Sequence, residues 1–283
     1  MLDKFKRPAN QYVPRNIVWL VIILSVATFA WGGSNDSNIR TSEQTFRAKR
    51  LEVSGFSGRF RVEVETRVDL AVQIRSVAED IDGISLNVRN GVLHIEKLPS
   101  SGGGSTSSSV TVLGNVTTVV SGGGTASVNI GGQDFGTMEN HPPIEITIRL
   151  PTGTPLSLHD LNGDCRIGDT YGSVELTLSR GNCTLGEITR GELLIQGSGD
   201  IVVRQVSGDL RVGVNGSGNV RVHSGRVGRL EAKINGSGQI NLNVQAQQAE
   251  LSLVGAGNIH VTEVREQPRV TMAGAGGVKV DNW

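Results

Sequence analysis

The chain has 283 residues, room for one or two domains with a real core, and its 27 Lys+Arg balance 27 Asp+Glu. That neutral balance argues against a nucleic-acid binder, and two cysteines cannot build a disulfide-rich scaffold or a four-cysteine zinc site. Glycine at 38, aromatics at 4% and only 8 prolines, without a Gly-x-y period, exclude collagen and favour a β-protein with many tight turns.

Residues 1–16 read as a cytoplasmic lead, carrying Lys4, Lys6, Arg7 and Arg15 against one acid, Asp3. Residues 17–31 follow as IVWLVIILSVATFAW, without a charge, and the next basic residue is Arg40. The asymmetry leaves the amino end inside and sends the rest across the membrane. Two readings of residues 17–33 stay open. A retained signal anchor suits the long lead and the placing of Trp19 and Trp31, although a span of about 17–25 apolar residues is usual. A cleaved signal peptide suits the short core, with Ser25-Val26-Ala27 or Thr28-Phe29-Ala30 as small-residue sites. No cysteine lies nearby, so a lipoprotein anchor is excluded.

Residues 34–45 read as a polar tether. From 46 to 98 the pattern is a run of short alternating segments, among them Phe60-Arg61-Val62-Glu63-Val64 and Leu70-Ala71-Val72-Gln73-Ile74. Asn90-Gly91 between two such runs marks a two-residue hairpin. Residues 99–142 form an insertion opened by SSGGGSTSSS, a composition unable to bury enough apolar surface to order itself. It reads as loop, with VTVLGNVTTVV inside it able to pair as an added strand or docking arm.

Beyond residue 143 the sequence repeats. GSGDI, GSGNV, GSGQI, GAGNI and GAGGV begin at Gly197, Gly216, Gly236, Gly255 and Gly274, at spacings of 19, 20, 19 and 19. Degenerate copies at Gly163-Asp164-Cys165 and Gly181-Asn182-Cys183 complete seven units. The residues after the turn, Cys165, Cys183, Ile201, Val220, Ile240, Ile259 and Val278, are apolar throughout, and so is the column two residues on. Between them runs a wet column of Arg166, Thr184, Val202, Arg221, Asn241, His260 and Lys279. This predicts an all-β parallel β-helix, or β-solenoid, of 18–20-residue coils over 143–283, each coil about 4.8 Å above the last. An antiparallel meander satisfies the same alternation but explains the constant spacing less well. The turn glycines, Gly163, Gly181, Gly199, Gly218, Gly238, Gly257 and Gly276, are assigned torsions open mainly to glycine. The following column (Asp164, Asn182, Asp200, Asn219, Gln239, Asn258) is suited to amide hydrogen bonds between coils.

These residues resemble a known family. LEVSGFSGRFRVEV, DGISLNVRNGVLHIEK, IEITIRLPTGTPL and the GSGDI-type repeats are similar to the family called "putative auto-transporter adhesin, head GIN domain". The likeness covers 46–98 and 143 to about 283. It implies a right-handed β-helix exported from bacteria and carries over no catalytic residue. A departure from true autotransporters is expected, with no carboxyl-terminal membrane barrel after the repeats.

Little else points to chemistry. Cys165 and Cys183 share a column one coil apart, close enough for a disulfide, although side chains on in-register parallel neighbours also suit two buried thiols. His94, His141, His159, His223 and His260 share no metal-ligand spacing, and no G-x-S-x-G elbow lies between a strand and a helix. The glycine turns lack the following helix of a phosphate loop and the nine-residue period of calcium-binding repeats. No catalytic residue, cofactor or metal is assigned. The expectation is an exported, membrane-anchored envelope protein with a non-catalytic, adhesin-like role toward an envelope protein or glycan, in the periplasm or at the surface. A polysaccharide-binding or polysaccharide-cleaving enzyme is one alternative, and a partner of an envelope-stress system another. Trp283 is expected to cap the open end of the core.

Overall fold

The computed structural model describes residues 39–77, 83–97 and 143–283, together with the backbone of strands 110–111, 126–130 and 133–138. The expected cytoplasmic lead 1–16, the apolar segment 17–33 and His141 lie outside the described residues. Within them the fold is all-β, and no helix is long and apolar enough to cross a membrane.

Each coil consists of a strand, a glycine corner, a second strand and a return turn. Strands before the corner stack into one sheet and strands after it into another. Coil on coil, the pairing is parallel: Leu210–Gly216 lies on the second half of Asn219–Gly236, and Gln239–Gly255 on Asn258–Val264. Parallel registers throughout the repeats rule out the antiparallel meander. The two columns after the corner are in register, from Cys165↔Cys183 to Ile259↔Val278. Their members are buried up to Ile259 and Val261, with Val278 and Val280 partly buried in the last coil, and Val212, Val214, Ala232, Ile234, Leu251 and Leu253 are buried on the facing sheet. Alternation of period two forces this: one face of every strand must leave water, and only the facing sheet can receive it.

The amino-terminal region belongs to the same solenoid. Arg50–Ser54 pairs parallel with Leu156–Asn162, and Arg59–Val64 pairs parallel with Cys165–Ile167. LEVSGFSGRFRVEV is therefore a coil. Below it lie Val92–Lys97 on one sheet and Glu145–Leu150 on the other, each parallel to the strand of that coil it pairs with. Those two strands form a further coil, and the 99–142 insertion leaves from its corner, where every other coil has glycine. Three short strands inside the insertion pair with one another, Val110–Thr111 with Ala126–Ile130 and the latter with Gln133–Met138. That part is strand where loop is expected; the remainder lies outside the described residues.

Antiparallel strands close the amino-terminal end: Leu70–Val77 and Ile39–Phe46 on one sheet, Ile84–Arg89 on the other. Asn90 and Gly91, at φ 52° and 77°, make the expected two-residue hairpin. Ile39–Phe46 corrects the expected tether of residues 34–45. Its polar IRTSEQTF sequence suits an edge strand that leaves most side chains wet. At the carboxyl end the core is open. Val270 and Met272 are about half exposed and Trp283 is 73% exposed, so Trp283 does not act as the expected cap.

The corner glycines form the expected stack, but for two reasons rather than one. Gly163 and Gly181 do take positive φ. In later coils that torsion passes to the first glycine, Gly216, Gly236, Gly255 and Gly274, and the second does not need it. The second glycine is required by close approach: a Cβ on Gly238 would lie 2.6 Å from Val214 Cγ1 and would overlap the Gly218 carbonyl.

Candidate functional site

The outward side of the sheet after the corner carries two polar columns. Asp164, Asn182, Asp200, Asn219, Gln239 and Asn258 stand nearest the corner. The expected amide ladder is partial: Asn182 Nδ2 donates to Asp164 Oδ1 at 3.3 Å and Asn219 Nδ2 to Asp200 Oδ1 at 2.8 Å. In the second column Arg166, Thr184, Val202, Arg221, Asn241, His260 and Lys279 are neighbours as expected. A shallow groove of about 210 Å³ crosses three coils here, between Asp200, Val202, Asn219, Arg221, Gln239 and Asn241. Its amides, carboxylate and guanidinium surround a small apolar floor, and rigid strands fix their spacing.

A larger open cleft of about 490 Å³ lies on the same face, at the first coils. Arg61, Glu63, Thr152, Arg166, Asp169 and Tyr171 line it. Arg61 and Arg166 are register partners, two cations side by side. Each acid on the rim is tied to another arginine: Glu63 lies 3.5 Å from Arg149 Nε, and Asp169 Oδ1 lies 2.7 Å from Arg204 Nη2. The hydrogen bond from Arg204, helped by the Glu187 N–H, holds the Asp169 carboxyl below the usual carboxylate range. Tyr171 is 48% exposed and sits at φ 49°, a conformation uncommon for a bulky residue.

Sequence reasoning passed over this cleft. Arg61 lies in a coil not recognised as one, and the return turn GDTYG carries no repeat signature. The outward glutamates of the other sheet were also missed. Glu52, Glu175, Glu192, Glu231 and Glu250 share one column with Arg211, which lies 3.8 Å from Glu192 and 3.1 Å from Glu231. The column is interrupted by Ser157 and Arg211 and continues to Arg269, so the second face also mixes charges around a run of glutamates.

Cys165 and Cys183 are joined as a disulfide, their Cα atoms 4.5 Å apart, at the short end of the range such bonds accept. The four described histidines remain apart. His94 lies 3.5 Å from Glu52, His159 4.0 Å from Glu175, and His260 bridges Asn241 and Asp281 at 3.1 and 2.8 Å. His223 contributes its carbonyl, which accepts from Asn243. Among the described residues no group of three His, Cys, Asp or Glu side chains could hold a metal.

Solved structures share this architecture. A crystal structure of a "putative adhesin" from Bacteroides fragilis is 17% identical with a TM-score of 0.58, covering 85% of this chain and 97% of its own. A "putative adhesin" from Parabacteroides distasonis is 15% identical with a TM-score of 0.49, covering 87% of this chain and 98% of its own. No curated protein matches the chain. The model of the family described as "Putative auto-transporter adhesin, head GIN domain" matches residues 52–282, from the first coil to the last, and this chain belongs to that family.

Proposed function

We propose that the chain is an exported, membrane-anchored protein of the bacterial cell envelope whose solenoid binds glycan and performs no chemistry on it. The observation that carries this reading is the outward face after the corner. Two columns rich in Asn, Asp, Gln, Arg and His are set on a rigid sheet at one strand spacing, about 4.8 Å. Such a ladder offers successive hydroxyl-bearing units polar donors and acceptors at a regular rise, which suits a polymer lying along the solenoid axis. The charge-free segment 17–31 with its basic lead supports an anchor and an exported body.

Catalysis on a glycan calls for an acid that keeps its proton near neutral pH. Asp169 has the opposite disposition, since Arg204 holds it ionised. The adhesin names of the structural relatives agree with a binding role.

Export is tested with a carboxyl-terminal tag and protease applied to intact cells, spheroplasts and lysates, with membrane fractions blotted for size. The reading expects a full-size membrane-bound band whose tag is lost in intact cells or on spheroplasting. A tag digested only after lysis contradicts it.

A further inference from the structure

We infer that the cleft between Arg61, Arg166 and Tyr171 is a binding site for an acidic sugar unit, one carrying a carboxylate beside its hydroxyls. The inference rests on the glycan-binding reading and names the ligand class and place.

Arg61 and Arg166 stand directly beside each other on neighbouring parallel strands, both exposed. Like charges so placed destabilise a sheet. The next residues in the column, Thr184 and Val202, are neutral and offer no compensation. Arg61 has only a 3.9 Å contact with Glu63, and that carboxylate is shared with Arg149. Arg166 has no hydrogen-bonding or ion-pair partner among the described residues. Two guanidinium forks therefore face the cleft with their donors unspent, the geometry that receives a carboxylate through paired N–H bonds.

The rest of the cleft fits a sugar rather than a bare anion. Tyr171 presents an exposed phenol from a backbone held at φ 49°, an apolar ring face with a polar tip. Glu63 and Asp169 are acceptors on the rim, each paired with an arginine, and Thr152 adds a hydroxyl. Acceptors beside the arginines would repel a small multivalent anion while receiving sugar hydroxyls.

The test uses the full chain in detergent and three probes: an oligouronate, the same oligosaccharide with its carboxyls reduced to alcohols, and inorganic phosphate. The inference expects the oligouronate to bind and the reduced sugar to bind at least about tenfold more weakly, with a similar loss in Arg166→Gln. Tyr171→Asn, which tolerates the positive φ, should also weaken binding while thermal stability holds or rises. The Tyr171 variant therefore separates lost contact from lost fold. Three results overturn the assignment: equal binding of both sugars, unchanged affinity in Arg166→Gln, or displacement by phosphate as effective as by the oligouronate. If envelope glycan still binds while any of these holds, the site is wrong and the glycan-binding reading stands. If no envelope glycan binds at all, that reading falls with it.

Discussion

The Gly58 carbonyl occupies the place where a Cβ on Gly163 would have to sit. Gly58 in turn lies against the Ile144 carbonyl, so the corner column begins below the first repeat unit and continues to Gly276. One unbroken stack of glycines thus joins segments separated in sequence by two sheet-capping strands, a hairpin and the whole insertion.

Gly163→Ala should consequently be expensive. The methyl meets backbone that cannot yield, and the residue is held at φ 135° as well. A loss of about 2–4 kcal/mol is expected in denaturant unfolding. Gly153→Ala is the matched control: its φ is 81°, but open space surrounds it, so strain alone applies and the loss should be about 1 kcal/mol. Equal losses at the two positions would remove close packing as the reason for the column.

Ile240 is 1% exposed in the middle of the inward column. Ile240→Asp places an unpaired carboxylate between sheets and should cost more than about 4 kcal/mol, leaving little folded protein. Ile240→Val removes one methylene and should cost about 0.5–1.5 kcal/mol. Circular dichroism melts compare the three chains. An Ile240→Asp melt matching wild type would mean that the column faces water.

These columns were legible in the sequence because the period is nearly constant: once the Gly-x-Gly turns are aligned, every inward and outward position after them follows. The first coil was not legible, since Gly55 and Gly58 stand three apart rather than two and its successor begins only at Leu156. Ile39–Phe46 looked like tether because an edge strand needs few apolar residues. Arg61 and Arg166 could not be paired from sequence, as their adjacency depends on which coil Arg61 belongs to. Nor could Trp283 be placed, because exposure at an open end leaves no trace in a repeat pattern.

The Cys165–Cys183 bond closes a loop of sequence separation 18. Replacing both with Ala should cost about 2–4 kcal/mol, part of it through the unfolded chain, which is no longer cross-linked. Thiol reductant should lower the melting temperature of wild type and leave the double variant unmoved. An equal response in both chains would show that the bond makes no contribution.

Acid should loosen the first coils. Asp169 has its folded pKa depressed by Arg204 and the Glu187 amide. Its contribution is present above the unfolded value, about 3.9, and is lost as pH falls through the lower folded value. Urea midpoints of wild type and Asp169→Asn should therefore differ most at neutral pH and converge below about pH 4. A gap that widened in acid would contradict the pairing with Arg204.

Hydrogen–deuterium exchange of the full chain, with and without purified polysaccharide from its own host's envelope, tests the binding face most directly. The account predicts slower exchange in peptides spanning 200–204, 219–223 and 239–243, and in 165–171 when the glycan is acidic. Peptides spanning 192–195, 210–214 and 230–234, beneath the glutamate column, should exchange as before. Protection confined to that opposite sheet, or none on either sheet, would contradict a glycan-binding solenoid.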